Sequence, residues 1–409
     1  MTSSTKQAAD SLTRGSAKLS KVLVYYAAYL VLGLSLSALG PTLPGLAKQT
    51  GSTLGQISII FAGNSFGYII GSLLSGWVFD RRKGHPVIAI AMSFLALLMI
   101  VLPLVPSRGL LVLIIMLIGF LMAFQDVGGN TLIVWLFGHK VGPYMNALHL
   151  CFGLGAFLSP MLVDRVIVAT GGIRGVYWIL AALLIPVIIW MLRTPSPERQ
   201  KSANEGGSGF SLRPYVFLLI MTAALFFMHV GTEMAYGGWI FSYAVALNIG
   251  PDTLARVLNS TYWGGLMIGR LVAIPLAIKM RPKTMLLLDL LGSIGSIGVL
   301  LVFPLWPASI WIATFGLGFS IASMYPSTLN FAERRMPITG QVTSYLIVGA
   351  NAGSMVIPWV IGQAFESSGP QSMMWIMQGA MLLALMLFFG IMVYSKRLPR
   401  QIGKELDVN

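Results

Sequence analysis

What most constrains this chain is a rhythm of twelve apolar runs, each long enough to cross a bilayer, divided by short hydrophilic breaks. The runs fall at 22–46, 54–79, 86–105, 109–136, 142–169 and 175–192, then at 214–247, 253–279, 284–304, 308–332, 340–365 and 371–395. A helical crossing takes about 20 residues, so twelve of them consume most of the 409 residues. Backbone groups in hydrocarbon have no water to bond, so each run must satisfy its own N–H and C=O groups as a helix. A closed barrel would instead show alternating segments of about ten residues. The expected fold is all-α and integral to the membrane, with twelve transmembrane helices in two pseudo-symmetric six-helix bundles. Only 10% of residues are charged, against about a quarter in a soluble domain. That excludes a water-facing enzyme.

A net charge of +14 would ordinarily point to a polyanion, but the positions of the charges decide otherwise. Of the 27 Lys and Arg, 21 lie in the termini and in alternate breaks, such as Arg81-Arg82-Lys83, Lys279–Lys283 and Arg334-Arg335. That alternation is the positive-inside pattern. It predicts both termini on the cytoplasmic side of a plasma membrane (the inner membrane in a bacterium) and a lipid partner, not nucleic acid. The single cysteine, Cys151, rules out an intramolecular disulfide. The four histidines form no metal-binding pattern and no Walker loop is present, so neither a metal, a cofactor nor ATP is expected.

The organisation expected is a cytoplasmic tail over 1–21, a bundle over 22–192, a cytoplasmic linker over 193–213, a second bundle over 214–395 and a tail over 396–409. The linker carries Pro195, Pro197 and Gly206-Gly207-Ser208-Gly209, a flexible composition. The halves look duplicated. Gly142, Gly155 and Pro160 recur as Gly340, Gly353 and Pro358; Gly119 and Thr131-Leu132 recur as Gly316 and Thr328-Leu329; Gly63 and Gly67 recur as Gly265 and Gly269. Parallel repeats of this kind enclose a site near the bilayer midplane, between the halves.

The break Gly76-Trp77-Val78-Phe79-Asp80-Arg81-Arg82-Lys83-Gly84-His85 resembles the loop between helices two and three of the major facilitator superfamily, with Lys83 where that pattern has a glycine. Gln125-Asp126-Val127-Gly128-Gly129-Asn130 and Met145–Ala156 look like its fucose permease and sodium-dependent glucose transporter branch. Glu233–Trp239, Ile268-Gly269-Arg270 and Met324-Tyr325-Pro326 strengthen that likeness. The resemblance implies a secondary transporter, not an enzyme. It also implies a protonation role for Asp126 and sugar binding at Asn130. The permease pattern has an acid in helix one, whereas 22–46 has none. The substitute is expected to be Glu233, and the coupling ion is left open between H+ and Na+.

Ionisable groups inside a bilayer are costly unless paired or wetted. Asp126, His149, Glu233 and Arg270 stand out for that reason. Asp126 and Asn130 lie one helical turn apart on one face, suiting a sugar hydroxyl or a cation; an interhelical hydrogen bond is the plainer reading. His229, Glu233 and Tyr236 share a stripe of the seventh run, and the Gly237-Gly238 pair allows a bend. Tyr236 and Trp239 offer flat faces for a sugar ring, or form an interfacial girdle. Asn146 and His149 in the fifth run and Asn351 in the eleventh complete the expected sugar site. Arg270 is expected to pair with Glu233 or Asp126. Asp80, Arg81 and Arg82, with Glu333 and Arg334, are read as a cytoplasmic gate. Together these residues predict a monomeric carrier performing cation-coupled symport of a neutral monosaccharide by alternating access. An exporter of amphipathic molecules is the alternative.

Overall fold

The computed structural model describes residues 3–138, 141–198, 213–304, 306–336 and 340–396, with side chains from 18 onward apart from 340 and 341. Most of the expected linker, and the tail beyond 396, lie outside the described residues.

Among the described residues twelve helices are long and apolar enough to span a membrane. Spans 1 to 6 are Lys18–Ser37, Leu54–Phe79, Gly84–Leu104, Arg108–Phe137, Gly142–Thr170 and Arg174–Arg193. Spans 7 to 12 are Arg213–Ala246, Asp252–Lys279, Pro282–Val302, Pro307–Glu333, Val342–Ser368 and Ser372–Ser395. Three expected continuous helices are interrupted, the second of them at Ser58, between Leu54–Ile57 and Ile59–Phe79. The first bends at Ala38 and resumes as Leu39–Gln49, because Pro41 and Pro44 have no N–H for the carbonyls four residues back. The tenth splits into Pro307–Ile321 and Met324–Glu333, where Pro326 denies a donor to the Ala322 carbonyl.

The two halves repeat one packing scheme. Span 1 lies on span 5, span 2 on span 4 and span 3 on span 6, just as 7 lies on 11, 8 on 10 and 9 on 12. Glycines set the closest approaches. Gly67, Gly71 and Gly119 sit against the backbone carbonyls of Met116, Phe120 and Asn64. Gly265, Gly269 and Gly318 sit against those of Phe315, Phe319 and Tyr262. Any side chain there would meet backbone, so helices this close need small residues. These contacts pair Gly67 with Gly265 and Gly119 with Gly318, correcting the sequence alignment by one turn in span 2 and two residues in span 10. Glycines four apart at 63, 67 and 71 let a sequence match slip a turn unnoticed.

The halves meet where span 2 packs on span 11, span 5 on span 8, and Leu39–Gln49 on span 7. An even number of crossings places the start of span 1 and the end of span 12 on the same face.

Candidate substrate and coupling site

Span 4 supplies the first half of the site. Asp126 accepts hydrogen bonds at Oδ1 from the Tyr29 hydroxyl at 2.7 Å and from Asn130 Nδ2 at 3.1 Å. At Oδ2 it accepts from Tyr68. The Asp-Val-Gly-Gly-Asn motif explains how three donors reach one carboxylate. Asn130 follows one turn later, and Gly129 has no Cβ, which lets the Tyr29 ring of span 1 lie on span 4. Gln125 fastens the same helices from the buried side, donating from Nε2 to the Ala28 carbonyl at 2.6 Å. Charged acceptors make the stronger hydrogen bonds, so the carboxylate is held in one pose.

Span 5 adds His149, whose ring meets Tyr29 edge to face at a centroid distance of 5.9 Å. It lies within electrostatic reach of Arg270 in the other half and of Asp126 in its own. Asn146, one turn toward the termini, is exposed on the same stripe. That stripe faces the second half, because a Cβ at Gly153 would come to within 3.4 Å of Met267 and one at Gly264 would meet the Phe157 ring.

Across the interface, Arg270 of span 8 pairs with Glu233 of span 7, Nη2 to Oε1 at 3.6 Å. This chooses Glu233 over Asp126 as the partner. The separation exceeds the roughly 2.7–2.9 Å of a tight charge-assisted hydrogen bond, leaving both groups unsaturated. Tyr262 donates to the Glu233 carbonyl at 2.9 Å. Tyr325, just past the break in span 10, is half exposed and within electrostatic reach of both Asp126 and Glu233. In the sequence it stands within Met324-Tyr325-Pro326, where a tyrosine beside a helix-breaking proline is a legible signal.

Other expected site residues fall elsewhere. Tyr236 is fully buried, its hydroxyl bonded to Thr314 at 2.8 Å and its ring against Tyr262. Trp239 is also fully buried, donating Nε1–H to the Pro358 carbonyl at 3.0 Å between Phe61 and Phe365. Both are packing groups here, with no face open to a sugar. Gly237 and Gly238 do not unwind span 7, which runs unbroken over Val216–Ala246. They seat Gly40 of the bent first helix, Trp263 and Phe61, and Asn259 caps the Gly237 carbonyl at 2.7 Å. Asn351 is half-buried and bonded within its own helix to the Ile347 carbonyl at 2.9 Å. His229 is buried among Phe226 and Tyr325 with both ring nitrogens unpartnered. At the termini-bearing face, Arg81 lies over its own Trp77 ring, 4.2 Å from the centroid. Asp80, Arg82, Glu333 and Arg334 are exposed there.

The side opposite the termini is sealed by a polar latch that sequence reading missed. Arg256 of span 8 binds Asp164 of span 5 at 2.6 Å, with Thr253 donating to the same oxygen at 3.0 Å. Thr53, which caps span 2 through a reciprocal pair with Gln56, donates its hydroxyl to Glu366 of span 11 at 2.7 Å. Gln363 reaches the Gly55 carbonyl at 2.8 Å. Asp164 lies inside an apolar run, so the rule that singled out Asp126 also applied to it.

Two duplicated six-helix lobes, sealed against each other on one face and carrying a polar belt at midspan, define a membrane transporter. The family model for the Major Facilitator Superfamily matches residues 25–346, and the chain belongs to that superfamily. It is 30% identical over 371 residues to the sodium-dependent glucose transporter 1 of Homo sapiens, covering 82% of this chain and 72% of that protein. The corresponding Xenopus laevis protein is 32% identical over 364 residues, covering 80% and 72%. Among solved structures, the nucleoside transporter NupG superposes with a TM-score of 0.72 over 94% of this chain and 100% of its own. Its 14% identity makes that a likeness of fold.

Proposed function

We propose that this transporter carries a neutral monosaccharide by cation-coupled symport, with H+ or Na+ as the coupling ion. The observation that carries the reading is the polar belt shared between the halves. Asp126, Asn130 and His149 stand on one side, and Glu233 with Arg270 on the other. A sugar offers several hydroxyls, each both donor and acceptor. Carboxylate, amide, imidazole and guanidinium groups at one level give complementary partners without demanding charge from the substrate. Asn146 and Asn351 extend the belt along spans 5 and 11. The names of the 30–32% identical relatives support a sugar and a sodium gradient.

Asp126 and Glu233 are the groups that sense the cation. Their present partners, the Tyr29–Tyr68–Asn130 donors and Arg270, are those a bound cation or sugar would compete with. With the termini on the cytoplasmic side of a plasma membrane, the latch at Asp164 and Glu366 closes the outer face. Asp80, Arg81, Arg82, Glu333 and Arg334 then lie where the inner gate closes in the opposite state. The protein is read as working as a monomer. Counterflow in proteoliposomes tests the substrate: labelled hexose should exchange for unlabelled hexose. Efflux of amphipathic dyes without any sugar exchange would favour the exporter reading.

A further inference from the structure

One carboxylate outside the central belt has a hydroxyl partner but no basic one among the described residues. Asp289 of span 9 lies in the seam between spans 9 and 10. It accepts a hydrogen bond at Oδ2 from Ser323 at 2.6 Å, and no described Lys or Arg pairs with it. One turn along, Ser293 is fully buried and its hydroxyl has no partner. Residues four apart share a helix face. Gly292, between them, lies against the Ser320 side chain, so this is the face that span 9 turns toward span 10. Ser323 itself stands in the break of span 10, next to the Ala322 carbonyl that Pro326 leaves without its helical donor.

We propose that Asp289, Ser293 and Ser323 form a binding site for a small monovalent metal cation of the sodium kind. The donors are hard oxygens: one carboxylate, two hydroxyls and the carbonyls of a broken helix. That set suits an alkali cation, because transition metals favour imidazole and thiolate, and no cluster of three His, Cys, Asp or Glu exists among the described residues. Broken transmembrane helices supply cation ligands in the same way, through backbone oxygens freed at the break. A cation here would join span 9 to both parts of span 10 and fix the angle at the break, next to Tyr325 of the central belt. Its role as a coupling site rests on the cation-coupled reading above; binding itself does not.

Thermal unfolding of the full chain in detergent tests this, with NaCl compared with KCl and choline chloride at one ionic strength. A ligand that binds only the folded state raises the unfolding temperature by mass action. Sodium should raise it saturably where potassium and choline do not. The half-saturating sodium should rise at least tenfold in Asp289→Asn and stay at the wild-type value in Asp80→Asn, a carboxylate at the end of span 2 outside both the seam and the belt. Ser293→Ala, which removes only an unpartnered hydroxyl, should increase the half-saturating sodium at least tenfold, and it decides the matter if Asp289→Asn does not fold. No sodium-specific shift in the wild type, a half-saturation unchanged in Asp289→Asn, or one unchanged in Ser293→Ala would each overturn the site. Failure of sugar counterflow with the sodium shift intact would sink the transport reading alone.

Discussion

Asp164→Asn disarms the latch on the face opposite the termini. The Asp164 and Arg256 side chains are 13% and 7% exposed and meet at 2.6 Å. Removing one member of such a pair costs about 3–5 kcal/mol, because the other charge stays behind without compensation. Asp252 stands 3.8 Å from the same guanidinium but is 63% exposed, so it recovers a small part. A penalty of about 3 kcal/mol is therefore expected, and it falls only on the conformation in which spans 5 and 8 meet at this face. A bias of that size moves a two-state equilibrium by roughly two decades. Spin labels at Arg174 and Ala246, with Cys151 replaced by Ser, report the separation of the halves by pulsed electron resonance in liposomes. In Asp164→Asn the short distance should give way to a longer one. Asp164→Asn combined with Arg256→Gln, which leaves no orphan charge, should restore part of it. A folded Asp164→Asn protein with the wild-type distance distribution would refute the latch.

Three further substitutions probe the belt and its frame. Trp239→Ala should lower the unfolding temperature by several degrees, consistent with about 3–5 kcal/mol for truncating a buried tryptophan, while sugar KM stays put; the reverse pattern would return Trp239 to the sugar site. Gly119→Leu and Gly318→Leu should each abolish monodisperse protein, since each glycine sits against a backbone carbonyl, whereas Gly76→Leu, with nothing within 4 Å, should be tolerated in size-exclusion profiles. Tyr68→Phe removes one donor from the Asp126 carboxylate, a hydrogen bond to a charged group worth about 1.5–3 kcal/mol. Uptake should fall at least tenfold and the unfolding temperature by a few degrees, and an unchanged rate would show that this donor does not matter.

Hydropathy made the twelve crossings legible, because hydrocarbon leaves the backbone no alternative to a helix. The bend at Ala38 and the break at Ala322–Ser323 were written in Pro41, Pro44 and Pro326, yet an apolar run does not announce whether a proline will bend it. Polar residues in apolar runs located Asp126, His149, Glu233 and Arg270, and the motif around Asp126 gave Asn130. Pairing is another matter. Which of two acids Arg270 meets, and that Tyr29 and Tyr68 converge on Asp126 from two other helices, depends on packing between distant segments. Tyr236 and Trp239 show the limit from the other side. Aromatic residues beside an acid look like a sugar platform, but their N–H and O–H groups already serve Pro358 and Thr314. Asp164 and Asp289 also stand in apolar runs, but what each of them meets, Arg256 and Ser323, is set by packing between distant segments.

The most direct measurement is uptake of labelled hexose into proteoliposomes under an inward Na+ or H+ gradient, in the wild type and in Asp126→Asn. The wild type should accumulate sugar above equilibrium, and Asp126→Asn should exchange it without accumulating it. Accumulation undiminished in Asp126→Asn, or no hexose movement by a wild-type protein that transports amphipathic dyes, would contradict the account.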